Sequence, residues 1–465
     1  MTPSLCLKGQ LMLPRVHFFL AISMFIALTL AIPALAQVEP SATGGGGGSL
    51  DEGQMMTPPP VSGMAYASGA GSEERSNYLE INVTASAGYI DNVFTNGTGA
   101  ATFTLLPNVT FDRSAPRRKE QFSYSPNFLF YFPTSSTPTG SVSVSSLDSI
   151  DQNASADFQY RFNPEVALSL MDNFVRTSNV FDSSYVFPGA ITGSTQTPQA
   201  TVIAPFTVQL TNIGAGNLSY QFGRNGMIGG GVDFTTFELP NPTNAIGLYN
   251  SNGVGGSVFY DRRLSGKQYF GLNYAYERIL AYPVNEVSET QTHILLPFYT
   301  LYFSQAFSLS LSAGVEHVNT TAPQAPTTSS WTPAISASVG WQRTRSSFAA
   351  NFTRVTSAGG GLLGAYDSKT FNASGTRKLS RTWTGDVSAG YTSIHSVTPL
   401  TISSVQDGDT LTAGASLGHP MGERFSIQFQ YQHFHENYSG STVIASDSNQ
   451  AAATLTYHLS RPLGR

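Results

Sequence analysis

Three groupings in this chain combine residue types and spacing that could do chemistry. Gly414-Ala415-Ser416-Leu417-Gly418, with His419 next, matches the elbow that holds a nucleophilic serine. That elbow needs a strand, a sharp turn and then a helix. Pro420-Met421-Gly422 instead reads as a turn into another strand, so the match is expected to be a chance product of a Gly/Ser-rich strand. His433 and His435 lie two positions apart and share a face on a strand, where they could ligate a metal. They also continue the stripe of Phe425 to Tyr431 toward one end, which reads as interfacial histidines, and Glu316-His317 falls in the same class. Gly44 to Gly48 is an unbroken glycine run, but no Lys-Ser/Thr follows it and no strand or helix flanks it, so it is no phosphate loop. A zinc H-E-x-x-H, a calcium loop and a dinucleotide fingerprint are also missing. Triplets such as Asn108 to Thr110 follow from a composition rich in Asn, Ser and Thr. No catalytic, cofactor or metal residue is therefore assigned, and the chain reads as a non-enzyme.

The elements around these groupings explain them better than chemistry does. Phe307, Leu309, Leu311, Ala313 and Val315 alternate with Ser308, Ser310, Ser312 and Gly314. Phe425, Ile427, Phe429 and Tyr431 alternate with Ser426, Gln428, Gln430 and Gln432. Trp331, Ile335, Ala337, Val339 and Trp341, and Phe270, Leu272, Tyr274 and Tyr276, show the same period of two. Successive side chains on a strand point to opposite faces, so each segment is a strand with one apolar face. The segments are longer than the ~5–6 residues of soluble strands and match the ~9–11 of a tilted membrane strand. Aromatics near both ends of the stripes, as with Trp331 and Trp341, match the girdles of a membrane barrel.

Composition agrees. Charged residues are 11% and aromatics 12%, against ~25% charged in soluble proteins. Apart from the N-terminal segment, no apolar run approaches the ~18 residues of a membrane helix. The net charge of −5 points to no nucleic-acid partner. At the N-terminus, Lys8, Arg15 and His17 precede the apolar run Phe18 to Leu30, and Ala34-Leu35-Ala36 closes it. That is a secretory signal over 1–36, with Gln37 as the mature start. The one cysteine, Cys6, lies inside it, so the mature chain has no disulfide or thiolate site. Residues 37–77, with the glycine run and Pro58-Pro59-Pro60, lack periodicity and read as a disordered periplasmic linker. The barrel is expected over 78–465.

Connections supply a second test. Tight turns fall near Ala115-Pro116, Asn163-Pro164, Asn225-Gly226, Ser265-Gly266, Gln305-Ala306, Arg345-Ser346, Ser380-Arg381 and Met421-Gly422. Between them lie longer polar stretches near 93–99, 133–147, 179–199, 240–250, 282–289, 319–329, 357–367, 396–408 and 437–447. Short periplasmic turns alternating with longer external loops mark outer-membrane barrels. The expectation is an all-β, antiparallel up-and-down transmembrane barrel of about 18 strands with both termini periplasmic. A hidden hairpin at Thr211 to Gly216, or the poorly apolar stretch 364–380, would move the count to about 16 or 20. The tight turns are basic, with Arg113, Arg117, Arg118, Lys119, Arg224, Arg262, Arg263, Lys267, Arg343, Arg345, Lys378 and Arg381. Either those cations contact anionic headgroups or they keep the turns solvated. Asp157, Arg161, Glu277, Glu316 and Asp386 fall on the inferred inner face and are the candidate lumen-facing charges. Such charges tune solute passage where water fills the lumen, and a ring of this size is too wide for wall side chains to fill.

The signal, the low-complexity lead, the long alternating strands and the ending Ala453-Thr454-Leu455-Thr456-Tyr457-His458-Leu459 resemble the outer-membrane β-barrel porins that accompany exopolysaccharide systems. The resemblance spans about residues 78–465 and rests on pattern. It departs at the end, where Ser460-Arg461-Pro462-Leu463-Gly464-Arg465 replaces the usual terminal aromatic. It implies a porin-like channel for polar solutes, with saccharides and polysaccharide-export components as implied partners beside outer-membrane lipids. External loop 179–199, or 133–147, is long enough to fold inward. The alternatives are an accessory barrel that scaffolds a surface-polysaccharide or secretion assembly, and a barrel esterase or phospholipase. No segment predicts an oligomer interface.

Overall fold

A computed structural model of the chain describes residues 77–92, 99–133, 148–178, 208–240, 249–283, 286–304, 306–321, 326–359, 362–397, 405–440 and 444–462. The expected signal peptide and linker, up to residue 76, and the candidate inward loops 133–147 and 179–199 lie outside the described residues, save for 133 itself. Eighteen strands follow one another. They are β1 (Tyr78–Ile90), β2 (Ala100–Ala115), β3 (Arg118–Pro133), β4 (Ser149–Arg161), β5 (Val166–Thr177) and β6 (Gln209–Phe222). Next come β7 (Gly226–Glu238), β8 (Ser251–Ser265), β9 (Gln268–Ala281), β10 (Ser288–Ser304), β11 (Phe307–Thr321) and β12 (Thr328–Arg343). The last six are β13 (Ser346–Gly359), β14 (Leu362–Lys378), β15 (Thr384–Ser396), β16 (Val405–Met421), β17 (Phe425–Gly440) and β18 (Ile444–Pro462). Each pairs antiparallel with its sequence neighbours, and β18 returns to β1 with Tyr78 opposite Pro462, so the sheet closes without an edge. Closure leaves no strand edge facing the surroundings, which is what a bilayer demands. No described helix is long and apolar enough to cross a membrane.

The exterior carries the apolar face. Phe103, Phe130, Val232, Val258, Leu311, Val387 and Phe429 are all exposed to the surroundings. Trp331 and Trp341 stand ten positions apart on β12. At ~3.4 Å per residue and a tilt of ~40° that spacing spans about 26 Å along the axis, close to the ~25 Å apolar band of membrane barrels. At the far end of the same face, His293 and His317 join Tyr276 and Trp331 in a row of rings. At the turn end, Arg118 lies over the Phe158 ring and Arg343 over Trp341.

All eight tight turns fall where expected, and β6 runs straight through Thr211 to Gly216 without a hairpin. Two long connections do not. Most of 357–367 belongs to β13 and β14, and much of 437–447 to β17 and β18. Likewise, β16 already begins at Val405 within the stretch read as 396–408. In and beside these extensions the outward positions turn polar, with Asp367, Asp409, His435 and Asp447. A strand that continues past the apolar band keeps its ladder but loses the alternation that identifies it.

The interior is not one round lumen. Cα atoms of β13 come within 8 Å of β8 and β9, and those of β14 within 8 Å of β10 and β11. Neighbouring strands are ~4.8 Å apart, so strands three or more places apart meet only if the wall folds back on itself. A line of residues across adjacent strands marks the crease. Pro297 on β10 sits beside a gap in the β10–β11 register between Leu295↔Val315 and Phe298↔Ser312. On β11, a Cβ added to Gly314 would lie 1.9 Å from the Leu295 carbonyl oxygen, so only glycine permits this approach. On β12, Pro333 lacks an N–H, and the described β12–β13 ladder runs only from Ile335↔Arg354 to Arg343↔Ser346. Leu296, Ala334 and Val355 pack inside the fold, with Ile294 against them. A shallow apolar depression of about 410 Å³, lined by Phe270, Pro297, Leu311, Ala313 and Ile335 among others, lies beside the same line.

Candidate functional site

Alternation with the exposed apolar rows puts all five candidate charges on the inner face. Asp157 and Arg161 lie on β4, Glu277 on β9, Glu316 on β11 and Asp386 on β15. They do not form one cluster, and their surroundings differ sharply.

Glu316 belongs to the crease. It is fully buried, at 0% exposure. Its Oε2 accepts the Thr356 backbone N–H at 2.6 Å and the Thr332 hydroxyl at 3.3 Å. The Thr332 and Thr356 hydroxyls lie 2.9 Å apart. The carboxylate thus takes an N–H that the interrupted β12–β13 ladder leaves free. On the inner face but fully buried, it works as part of the wall. Glu277 lies in the same lobe, within electrostatic reach of Asp233 and Glu316.

Asp386 sits in a different setting. It accepts the Thr376 hydroxyl at 2.7 Å and the Ser416 hydroxyl at 3.2 Å. Ser416 in turn accepts the Gln428 amide at 2.9 Å. Around it, Ser388 is exposed and Gln428, Gln430 and Gln432 are half-buried. On the strands that continue the arc, Asn153, Ser155, Asp157, Asn173 and Asn217 also keep exposure. Among the described residues, no approach as close as that of β13 and β14 joins β1–β7 or β15–β18 to a facing wall. Toward the tight turns this arc therefore lines the space inside the ring with amides, hydroxyls and a few carboxylates, while its inner positions Tyr131, Asp151, Phe434 and Glu436 toward the long loops are buried.

The remaining sequence candidates fall apart spatially. β16 passes through Gly414 to Gly418 as an unbroken strand. Ser416 points inward, whereas His419 is on the opposite face and reaches the Thr382 carbonyl oxygen at 3.2 Å. His433 bonds to Asn449 at 2.9 Å and His435 to Asp447 at 2.5 Å, both on the outer face. No described group of three or more His, Cys, Asp or Glu could hold a metal. Sequence reasoning missed the buried inner carboxylates Asp261 and Glu436. The signal was available, since Asp261 follows Tyr260 and Glu436 follows His435 in strict alternation.

No protein-family profile matches this chain, and no curated protein matches it. Among solved structures the chain is similar to the FrpB iron transporter from Neisseria meningitidis, at 9% identity and a TM-score of 0.41, covering 83% of this chain and 82% of that one. It is similar to Pseudomonas aeruginosa OccK2 (OpdF) in complex with glucuronate, at 11% identity and a TM-score of 0.41, covering 83% and 100%. Pseudomonas aeruginosa OpdK with vanillate follows, at 9% identity and a TM-score of 0.41, covering 82% and 99%.

Proposed function

We propose that the protein is an outer-membrane channel that passes small polar solutes along the arc formed by β15–β18 and β1–β7. The observation that carries this reading is the accessible polar inner face of that arc, including Ser388, Gln428, Gln430, Ser155, Asp157 and Asn217. Amides and hydroxyls replace a solute's hydration without holding it tightly, which is what conduction requires. An exterior apolar band with aromatics at both ends supports a bilayer setting. The secretory signal read over 1–36 supports export to the outer membrane, with the short basic turns periplasmic. Neutral hydrogen-bonding groups outnumber charges along the arc, so uncharged polyols and saccharides suit it better than strongly charged solutes. Lumen charge then comes from Asp157, Arg161 and Asp386, while Glu277 and Glu316 sit in the creased lobe.

Liposome swelling tests this. Proteoliposomes should swell in isotonic arabinose or glucose at rates that fall with solute size. Liposomes that stay osmotically tight despite verified insertion would exclude the reading.

A further inference from the structure

Where the closing strands meet, four inner-face side chains form a directed chain of hydrogen bonds. Asn82 Nδ2 donates to Glu80 Oε1 at 2.9 Å, which turns the amide oxygen away from Glu80. That oxygen lies 2.9 Å from His458 Nδ1. An amide oxygen only accepts, so Nδ1 carries a proton, and in the neutral imidazole Nε2 keeps a lone pair. Nε2 is 3.0 Å from Ser426 Oγ, so in the neutral ring the hydroxyl donates to it. The registers Asn82↔His458 and Ser426↔Thr456 hold the three strands in place. Ser426, His458 and Asn82 are all half-buried on the accessible arc.

A serine hydroxyl is a weak nucleophile until a base takes its proton, and the base works only in the right tautomer. Here the serine meets Nε2 and the orienting group meets Nδ1, which is the order that task requires. Thr456, directly opposite Ser426, shares a 3.0 Å hydroxyl pair with Thr84. In such a pair one hydroxyl accepts and keeps its own hydrogen free, a donor for an oxygen that gains negative charge.

We propose that Ser426, His458 and Asn82 form a hydrolytic site for small water-soluble carboxylic esters inside the barrel. Ser426 Oγ bonds to the ester carbonyl carbon as its proton passes to His458 Nε2. The tetrahedral adduct collapses by breaking the bond to the alcohol oxygen, which leaves with the Nε2 proton. Water then adds to the acyl carbon, gives a proton to Nε2, and the Ser426–acyl bond breaks. The products are the alcohol and the carboxylic acid, and Ser426 regains its proton from Nε2. Asn82 is a positioning residue that fixes the imidazole through Nδ1. The site uses the open arc only for access, so it is separable from conduction.

The test is hydrolysis of p-nitrophenyl acetate by the full-length protein in vesicles, with a fluorophosphonate probe applied in parallel and swelling recorded on the same preparations. The expected result is turnover, a probe adduct that peptide mapping places on Ser426, and loss of both in Ser426→Ala. His458→Ala should slow turnover by roughly 10²-fold or more. Asn82→Ala should lower kcat with KM little changed, which a merely structural defect would not do selectively. Turnover that survives Ser426→Ala, or inserted barrels with neither turnover nor adduct, would overturn the proposal whatever the swelling assay reports.

Discussion

In the lobe formed by β8–β14, inner side chains such as Thr292, Leu296, Glu316, Thr353 and Tyr366 are buried. Along the arc of β15–β18 and β1–β7, the inner positions Ser388, Gln430, Asp157 and Asn217 toward the tight turns stay accessible, while Tyr131, Asp151, Phe434 and Glu436 toward the long loops are buried. Both regions use the same alternating strands, so alternation alone does not decide what the interior becomes. The difference lies in the crease. Pro297 and Gly314 flank the gap in the β10–β11 ladder and Pro333 stands where the β12–β13 ladder stops, on one line across three adjacent strands, letting the wall fold and its inner faces pack. The arc has prolines too, at Pro107 and Pro126, yet its walls stay apart. Pro107 and Pro126 also face each other across a gap in the β2–β3 ladder, so what sets the crease apart is its run over β10, β11 and β12 together with a glycine at the point of closest approach.

The comparison can be broken at Gly314. Gly314→Val must displace the Leu295 carbonyl, so it should cost about 3 kcal/mol or more, read as a lower urea midpoint in detergent. The equivalent change at Gly418 on the arc, where a Cβ would meet only the Thr384 carbonyl oxygen at 3.9 Å, should cost much less. A similar loss at both positions would remove the crease from the account.

Glu316→Ala comes next. It strands the Thr356 N–H and should cost about 1–3 kcal/mol. Asp386→Ala leaves hydroxyls on the accessible arc that water can satisfy, and should cost under about 1 kcal/mol. Hydrogen exchange offers a local version, because in Glu316→Ala the Thr356 amide should exchange faster while amides of the Ile335–Arg343 ladder do not.

Smaller still is the outer pair Arg354–Asp367, whose Nη2–Oδ2 distance is 2.8 Å with Arg354 about a third exposed. Arg354→Ala should change stability by about 0–1 kcal/mol and less at high salt. A loss of several kcal/mol would mean that this pair, and not Glu316, holds the seam.

Much of the fold was legible in the sequence. The eighteen strands, the eight tight turns and the closure follow from alternation and from the placement of Pro, Gly and Asn. The extensions around 357–367 and 437–447 were hidden because polar outward residues such as Asp367 and Asp447 erase the alternation there. The crease was hidden for another reason. Pro297, Gly314 and Pro333 are far apart in sequence and align only through the register of three strands. The separate roles of Glu316 and Asp386 followed the same limit, since both read simply as charges on an inner face. The Ser426–His458–Asn82 chain joins the first strand of the barrel to the last two, so no local pattern could announce it.

The most direct test combines conduction with cysteine accessibility. The full-length protein carries one cysteine, Cys6, in the proposed cleaved signal, so single cysteines introduced elsewhere report one position each. In a planar bilayer the protein should give discrete conductance steps. A charged, thiol-reactive methanethiosulfonate should reduce the current strongly through Gln430→Cys and leave Thr353→Cys unaffected. A bilayer that stays silent despite verified insertion, or a block at Thr353→Cys with none at Gln430→Cys, would contradict a channel that runs along the open arc.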